Sequence, residues 1–236
     1  MKHSSIIYYL LALLGAVSCV EYDAEPFTGK IMPRATGYSS GVTDDWIYFN
    51  LHTGEVFNKY MPNEDIREGE QFNRTDWDLA FCGYHMRTNS GTSGCGQGGA
   101  IDLGYGDYDR WKTVAQLPTN AEWITDTDTD VYITYSQSDW YRHLLENHMN
   151  VEDNPWFDPN SGPARKLTSA NRKLEESMSL AGPPMSYTPS YHTYVVRTAD
   201  GLRYFKLQVV NWYNVHSEID ATGGELSYYC DELNGI

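Results

Sequence analysis

A glycine-rich stretch between residues 76 and 103 constrains the fold of this 236-residue chain more than any other feature. It begins with an apolar run, Trp77 to Phe81, and then enters a loop with five glycines, which a short return strand follows. Glycine admits positive φ and close backbone approach, and ordering it costs more chain entropy than ordering other residues. The stretch therefore predicts a shaped turn between two strands rather than a flexible linker.

Alternating apolar and polar residues on both sides of this stretch predict β-structure. Residues 46–51 fit a period-two strand with Trp46 and Tyr48 on one face and Ile47 and Phe49 on the other. Thr53-Gly54 precedes a second run at 55–57, so this region predicts a hairpin. Large side chains from 19 Tyr and 7 Trp suit the faces of a sandwich. The predicted fold class is all-β, mostly antiparallel, with one or two short helices. Further strands are predicted at 77–87, 100–103, 111–117, 131–135, 193–197, 202–212 and 225–230.

One window has helical periodicity. Within residues 139–149, apolar side chains recur at three- and four-residue spacing, and Ser136 with Asp139 resembles a capping box. Residues 167–180 fit either a helix or a strand, and Gly182-Pro183-Pro184 ends any helix there.

The first nineteen residues are typical of an export signal. Lys2 precedes an apolar run at 6–17 that is too short to span a bilayer, and Ser18-Cys19 follows it. The segment 16–19 resembles a bacterial lipobox, with an ordinary secretory signal as the alternative. We predict a signal peptide at 1–18, a lipidated Cys19, a flexible tether at 19–35 and one domain at 36–236.

The charge balance excludes some partners. The formal net charge is −15, and removal of residues 1–18 would make it −16, because that segment contains one lysine and no acid. A body this acidic argues against binding to nucleic acid and against direct adsorption to anionic lipid. The expected membrane link is therefore the lipid on Cys19 alone.

Three cysteines follow the predicted signal: Cys82, Cys95 and Cys230. An exported protein is expected to pair some of its cysteines, but an odd count leaves one free. Cys82 and Cys95 flank a turn and would face each other across a hairpin, and Cys230 is an equally good partner for either. The third option is that all three are buried as small apolar residues.

Motifs for catalysis or for common cofactors are weak. Gly94, Gly96 and Gly99 spell a dinucleotide fingerprint, but too few residues follow them to begin the required helix. Asp126, Asp128 and Asp130 imitate a calcium loop that lacks its glycine and its bidentate glutamate, so an exposed strand is the better interpretation. No nucleophile elbow or zinc-protease pair occurs, and the histidines are scattered. We predict that the protein is not an enzyme.

Several short segments match one known family in chain order. The glycine loop at 87–100 is the most specific match, and the others lie at 46–49, 53–56, 76–81, 181–183, 195–197, 199–201 and 205–208. In these segments the chain resembles the HmuY family of haem-binding lipoproteins of Bacteroidetes. The resemblance implies an all-β, right-hand-shaped fold that holds haem b (iron protoporphyrin IX) between a thumb and fingers.

The resemblance also implies candidate haem ligands. The family's best-known member ligates iron with two histidines, one of them just ahead of an Ala-Gly-Pro. Here Met178 stands three residues before Ala181-Gly182-Pro183. A thioether sulfur is soft and favours ferrous over ferric iron. The implied axial ligands are Met149 and Met178, with His148 and Met185 as alternatives.

Spacing alone also allows both methionines to be ordinary core residues. Met178 lies four residues after Leu174, and Met149 lies four after Leu145, so each fits an apolar face.

The expected function is that of a haemophore-like lipoprotein in iron acquisition. Such a protein captures haem from host haemoproteins or from solution and passes it to a TonB-dependent outer-membrane haem receptor. The expected location is the outer-membrane surface, with release from the cell as a second location and a homo-oligomer as an open question. The rival hypothesis is a surface glycan-binding or scaffold lipoprotein that uses exposed aromatic residues and no haem. A third is a relative that keeps the fold but binds another porphyrin or nothing.

Overall fold

The structure, a computed structural model, describes residues 26–33, 45–132, 165–181, 186–213 and 223–235. These ranges contain 13 strands, one short α-helix and three 3-10 helices, so the predicted all-β class is confirmed. The helices are α1 Arg172–Glu175 and the 3-10 helices Gln71–Asn73, Tyr108–Arg110 and Val114–Gln116. The strands are β1 Lys30–Ile31, β2 Ile47–Phe49, β3 Val56–Phe57, β4 Leu79–Cys82, β5 His85–Thr88, β6 Gly99–Tyr105, β7 Thr127–Tyr132, β8 Arg165–Ala170, β9 Met178–Ala181, β10 Ser186–Pro189, β11 His192–Arg197, β12 Tyr204–Tyr213 and β13 Gly223–Glu232.

The described strands form two larger sheets and two strand pairs. The larger sheets have the orders β1-β13-β12-β11-β6 and β3-β2-β4-β5, and the pairs are β7-β8 and β9-β10. Neighbouring strands are antiparallel throughout. The predicted hairpin at 46–57 is confirmed, because Phe49 of β2 pairs with Val56 of β3.

The main core lies between the two larger sheets. Ile47, Leu79 and Phe81 project from the four-stranded sheet, and residues such as Leu207 and Tyr228 project from the five-stranded sheet. The rings of Phe81 and Tyr228 meet across the interface with centroids 5.2 Å apart. Alternate residues of these strands therefore face the core, as the period-two pattern in the sequence predicts.

Each larger sheet has a second apolar face that a loop segment covers. Trp46, Tyr48 and Trp77 lie on the outer face of the four-stranded sheet, where Ile66 packs onto them from a polar loop. Asn58 holds that loop in place, because its side chain donates to Ile66 O at 2.7 Å and accepts from the Ile66 N–H at 2.9 Å. Residues 60–73 are thus a covering segment for this face of the four-stranded sheet.

The glycine-rich loop is built around Asn89. The Asn89 amide donates to the carbonyl of Trp77 at 2.8 Å, and its side-chain oxygen accepts from the Gly96 N–H at 2.9 Å. A Cβ atom at Gly98 would lie 2.7 Å from the Asn89 carbonyl oxygen. Close approach to Asn89 therefore explains Gly96 and Gly98, whereas positive φ applies to Gly91 at 53°.

Gly94→Ala is expected to lower the free energy of unfolding by about 1–3 kcal/mol. The added Cβ would overlap the side-chain oxygen of Asn89, which is itself fixed by hydrogen bonds. Urea denaturation measures the loss. Gly235→Ala is the control, because no atom lies within 4 Å of its Cβ position. If the two variants are equally stable, the glycine-rich loop accommodates the added Cβ without losing stability, and the prediction is wrong.

Asp126 is a buried residue whose hydrogen bonds connect Thr88, at the end of β5, to Asn171, at the start of α1. It is 1% exposed, and its carboxylate accepts from the Thr88 N–H at 2.9 Å, the Thr88 hydroxyl at 2.5 Å and the Asn171 amide at 2.9 Å. The exposed strand predicted at 126–130 is therefore wrong at its first residue, because Asp126 precedes β7 and lies in the interior. No pattern within the segment identifies these distant donors.

Asp126 is expected to make stability depend on pH between about 4 and 6. Burial raises the pKa of Asp126 to about 6, against roughly 3.9 in an unfolded chain. The contribution of protonated Asp126 to the free energy of unfolding is fully present below the pKa of the unfolded chain. It is lost as the pH rises through the pKa of the folded protein. The loss is about 3 kcal/mol by linkage.

Urea denaturation from pH 4 to pH 7 measures this effect in the wild type and in Asp126→Asn. The difference between the two curves isolates Asp126, because other carboxylates contribute equally to both. The stability advantage of the wild type over the variant is expected to shrink as pH rises. Parallel curves would contradict the assignment.

Two other sequence predictions differ from the structure or lie outside it. The strand predicted at 111–117 is wrong: the segment forms the 3-10 helix Val114–Gln116, capped by Thr113. Its apolar residues Trp111, Val114 and Leu117 recur at every third position, the spacing of a 3-10 helix, and cover the outer face of the five-stranded sheet. The helix predicted at 139–149 lies outside the described residues. The ambiguous 167–180 segment contains parts of β8 and β9 around α1.

Cys82, Cys95 and Cys230 form no disulfide with one another. Cys82 and Cys230 are buried, whereas Cys95 is exposed. The hairpin that would bring Cys82 to Cys95 does not form, because β5 and β6, which flank the glycine loop, belong to different sheets. Burial as small apolar residues, one of the three options, describes Cys82 and Cys230. Burial raises the pKa of the Cys230 thiol to about 11.

Candidate functional site

Met178 is the first residue of β9 and faces the main core. It is 6% exposed and belongs to the core cluster between the larger sheets. In the β9-β10 pair Met178 lies opposite Pro189, and Leu180 lies opposite Tyr187. Opposite residues of an antiparallel pair share a face, as do residues two apart along a strand. Met178 and Tyr187 therefore occupy the same face of this pair.

An aromatic cluster of Tyr84, Tyr187 and Trp212 joins that face to the rest of the core. The ring centroids are 6.0 Å apart for Tyr84–Tyr187, 5.5 Å for Tyr84–Trp212 and 5.9 Å for Tyr187–Trp212. Tyr84 and Trp212 are buried, and Tyr187 is half-buried. The three residues come from the β4–β5 turn, β10 and β12. Flat rings in these orientations supply an apolar wall with polar edges.

The segment before Met178 is fixed by a short helix. Asn171 caps α1, because its side-chain oxygen accepts from the N–H groups of Lys173 at 3.1 Å and Leu174 at 3.3 Å. Leu174 is fully buried, and its carbonyl accepts from the Ser177 N–H at 3.0 Å. Met178 follows directly. Its backbone is thus held by a cap, a buried anchor and the pairing with β10.

His85 and Glu175 form a buried polar pair beside the aromatic cluster. The His85 Nδ1 lies 2.6 Å from a carboxylate oxygen of Glu175, whose other oxygen accepts from the Met86 N–H at 3.1 Å. The rings of His85 and Tyr84 lie 4.3 Å apart. The pair ties α1 to β5. Sequence reasoning left His85 among the scattered histidines, and only the fold brings Glu175 to it.

The structure describes one of the predicted site residues. Met178 lies in the core as set out above, whereas Met149, His148, Met185 and Cys19 lie outside the described residues. Within the described ranges, no three His, Cys, Asp or Glu side chains converge as a metal cluster would. In the same ranges, no helix is long and apolar enough for a bilayer crossing.

Sequence reasoning did not identify the aromatic cluster. Tyr84, Tyr187 and Trp212 are three of 26 tyrosines and tryptophans in the chain. Their positions in the strand pattern indicate burial, but no local signal indicates that they meet. The available clue for Tyr187 is that it follows the Gly-Pro-Pro stretch after Met178.

A comparison with solved structures finds three similar proteins, and the two with TM-scores above 0.5 share the fold of this chain. PinO of Porphyromonas gingivitis, in its apo form, has a TM-score of 0.54 and 15% identity, covering 89% of this chain and 99% of that one. The apo HmuY analog TFO of Tannerella forsythia has a TM-score of 0.52 and 15% identity, covering 90% and 99%. A Bacteroides vulgatus protein described as HmuY-like and heme-binding has a TM-score of 0.47 and 17% identity, covering 83% and 93%.

A search of curated proteins finds no match. The model of one protein family, described as HmuY protein, matches residues 42–230. The match spans the four-stranded sheet, the five-stranded sheet apart from β1, the glycine-rich loop and the β9-β10 pair, and so covers most of the chain. The HmuY-like fold predicted from short segments is therefore confirmed, and the chain belongs to the HmuY family.

Proposed function

We propose that this protein binds haem b and serves iron acquisition, with Met178 as one axial ligand. The observation that carries the proposal is the position of Met178, a buried thioether on the face that also presents the ring of Tyr187. Membership of the HmuY family, whose described relatives include a heme-binding protein, supports it. The role is binding rather than catalysis.

The described residues fit the chemical needs of a porphyrin. A porphyrin needs flat apolar walls that exclude water, and the rings of Tyr84, Tyr187 and Trp212 supply such walls. Its iron accepts soft or imidazole side chains at the axial positions. When bound, haem supplies the iron centre, and Met178 donates a sulfur lone pair to it. The cap at Asn171 and the pairing of β9 hold that sulfur in place.

The second axial ligand is proposed to be Met149. His148, the adjacent residue, and Met185, just beyond β9, are the alternatives. Two thioethers stabilise ferrous iron relative to ferric iron more than two imidazoles do. A Met/Met site therefore binds haem in a redox-dependent way, with release favoured by oxidation.

The proposed cellular setting follows from the N-terminal sequence. Residues 1–18 act as a signal peptide and Cys19 carries the lipid. Of the tether predicted at 19–35, Lys30–Ile31 forms β1 and Met32 is buried in the main core, so the tether ends before β1 and the binding domain includes residues 30–32 as well as 36–236. The lipid holds the protein at the outer-membrane surface, from which a released form also arises. Haem captured from host haemoproteins passes to a TonB-dependent receptor. Homo-oligomers are one arrangement in which this transfer occurs.

A haem titration followed by absorbance tests the proposal. Addition of haem to the purified protein under reducing conditions is expected to give a shifted Soret band that saturates at one haem per chain. Hen egg-white lysozyme treated identically controls for non-specific uptake. The rival glycan-binding function predicts no Soret shift and retention on a polysaccharide column, and that result would overturn the proposal.

A further inference from the structure

A cavity of about 400 Å³ lies between the two larger sheets. None of the described residues that line it belongs to the aromatic cluster of Tyr84, Tyr187 and Trp212. Its volume falls within the range of small-molecule sites, roughly 300–1,000 Å³. The wall is mostly hydrocarbon and aromatic: Phe49, Leu51, Val56, Leu79, Phe81 and Phe205.

Two polar groups mark one end of this cavity. Lys30 of β1 lies directly opposite Tyr228 of β13, so the two side chains leave the sheet on the same face. Tyr228 is 3% exposed, lines the cavity and carries a hydroxyl that can donate a hydrogen bond. Burial raises the pKa of Tyr228, which keeps the hydroxyl protonated as a donor. Lys30 is exposed and makes no ion pair with any described residue.

The charge of the cavity lining is opposite to that of the chain. The whole chain has 32 acidic and 17 basic residues, yet Lys30 is basic and no acidic side chain occurs among the described lining residues. A hydroxyl donor and an ammonium group on the same face together favour an anionic oxygen group. The apolar walls favour a hydrocarbon body behind it.

We propose that this cavity binds a single-chain fatty acid of medium length. The hydrocarbon chain occupies the space between the sheets, where the walls remove it from water. The carboxylate accepts the hydrogen bond of the Tyr228 hydroxyl and faces the ammonium group of Lys30. This site is separate from the proposed haem site and does not depend on it.

Calorimetric titration with octanoate, decanoate, dodecanoate and tetradecanoate tests the proposal. Each added methylene is expected to tighten binding roughly fourfold until the cavity is full, after which the affinity stops rising. No saturable binding, or an affinity that does not change with chain length, would overturn the proposal.

Variants of the two polar groups test the head-group assignment. Tyr228→Phe keeps the ring but is expected to weaken dodecanoate binding roughly threefold to tenfold through the lost hydrogen bond. Lys30→Glu is expected to weaken it at least about tenfold, because it places an acid beside the carboxylate. Lys59→Glu, at an exposed lysine that does not line the cavity, is the matched control. Wild-type affinity in both Tyr228→Phe and Lys30→Glu would overturn the assignment.

A neutral ligand and a haem-site variant complete the test. Methyl dodecanoate is expected to bind wild type and Lys30→Glu equally, since it carries no charge. Met178→Leu is expected to bind dodecanoate as the wild type does. If the protein binds dodecanoate but not haem, the proposed haem-binding function is wrong and the fatty-acid site stands. If it binds haem but not dodecanoate, only the fatty-acid site is wrong.

Discussion

Met178→Leu is expected to weaken ferrous haem binding by on the order of 100-fold or more. Leucine has nearly the volume of methionine, and such swaps usually cost less than about 1.5 kcal/mol of stability. The substitution therefore removes the sulfur and keeps the packing of a core residue that is 6% exposed. Haem titration under dithionite measures the affinity, and urea denaturation checks that the fold is retained.

The matched control is Met86→Leu. Met86 is a fully buried methionine of the same core cluster and has no proposed role toward iron. It is expected to bind ferrous haem like the wild type. Met178→His is expected to restore binding and to raise the ferric affinity, because imidazole is a good ligand for ferric iron. If Met178→Leu and Met86→Leu bind haem equally well, Met178 is an ordinary core residue.

The same design identifies the second ligand. Met149→Leu is expected to have the same effect as Met178→Leu on the ferrous absorbance spectrum, whereas His148→Ala and Met185→Leu are expected to leave it unchanged. A loss in His148→Ala with none in Met149→Leu would replace the Met/Met site with a His/Met site.

Arg87→Ala is expected to lower the free energy of unfolding by about 3 kcal/mol. Arg87 is fully buried in β5, and its guanidinium donates to Glu68 at 2.7 and 2.8 Å and to the Ser169 carbonyl at 2.7 Å. It also stacks 3.8 Å from the ring centroid of Trp46. The side chain thereby connects β5, the covering segment and β8. Urea denaturation at pH 7 measures the loss.

The expected loss of about 3 kcal/mol for Arg87→Ala follows from the interactions that the partners of Arg87 lose. The Glu68 side chain is 37% exposed, so water compensates part of its lost ion pair. The Ser169 carbonyl and the cavity left by the guanidinium account for the rest. Arg74→Ala is the control: Arg74 pairs with Asp76 at the surface, and its loss is expected to cost less than about 1 kcal/mol. Equal losses in both variants would contradict this account.

Much of the fold follows from local pattern. The 46–57 hairpin and the strands β11, β12 and β13 were predicted because alternate residues along each strand face the core. The glycine-rich loop was predicted to have a defined shape, and the packing of Gly96 and Gly98 on Asn89 gives the reason. In each case the signal lies within ten residues or so of the structure it predicts.

Features that depend on distant contacts were not predictable in this way. The apolar residues Trp111, Val114 and Leu117 pack on a sheet from a 3-10 helix, and so short a run of local sequence does not distinguish that element from a strand. Asp126 is buried because Thr88 and Asn171 donate to it from 38 and 45 residues away. The aromatic cluster likewise joins residues 84, 187 and 212. The prediction of Met178 came from its place beside Ala-Gly-Pro in the family resemblance, and its role remains a proposal.

The ratio of ferrous to ferric haem affinity tests the central claim most directly. Parallel titrations of the wild type and Met178→Leu, with and without dithionite, give all four affinities. Ligation by Met178 with a second thioether predicts that the wild type binds ferrous haem more tightly than ferric haem, and that Met178→Leu removes most of this difference. Equal affinity of the wild type for both oxidation states, unchanged in Met178→Leu, would contradict it.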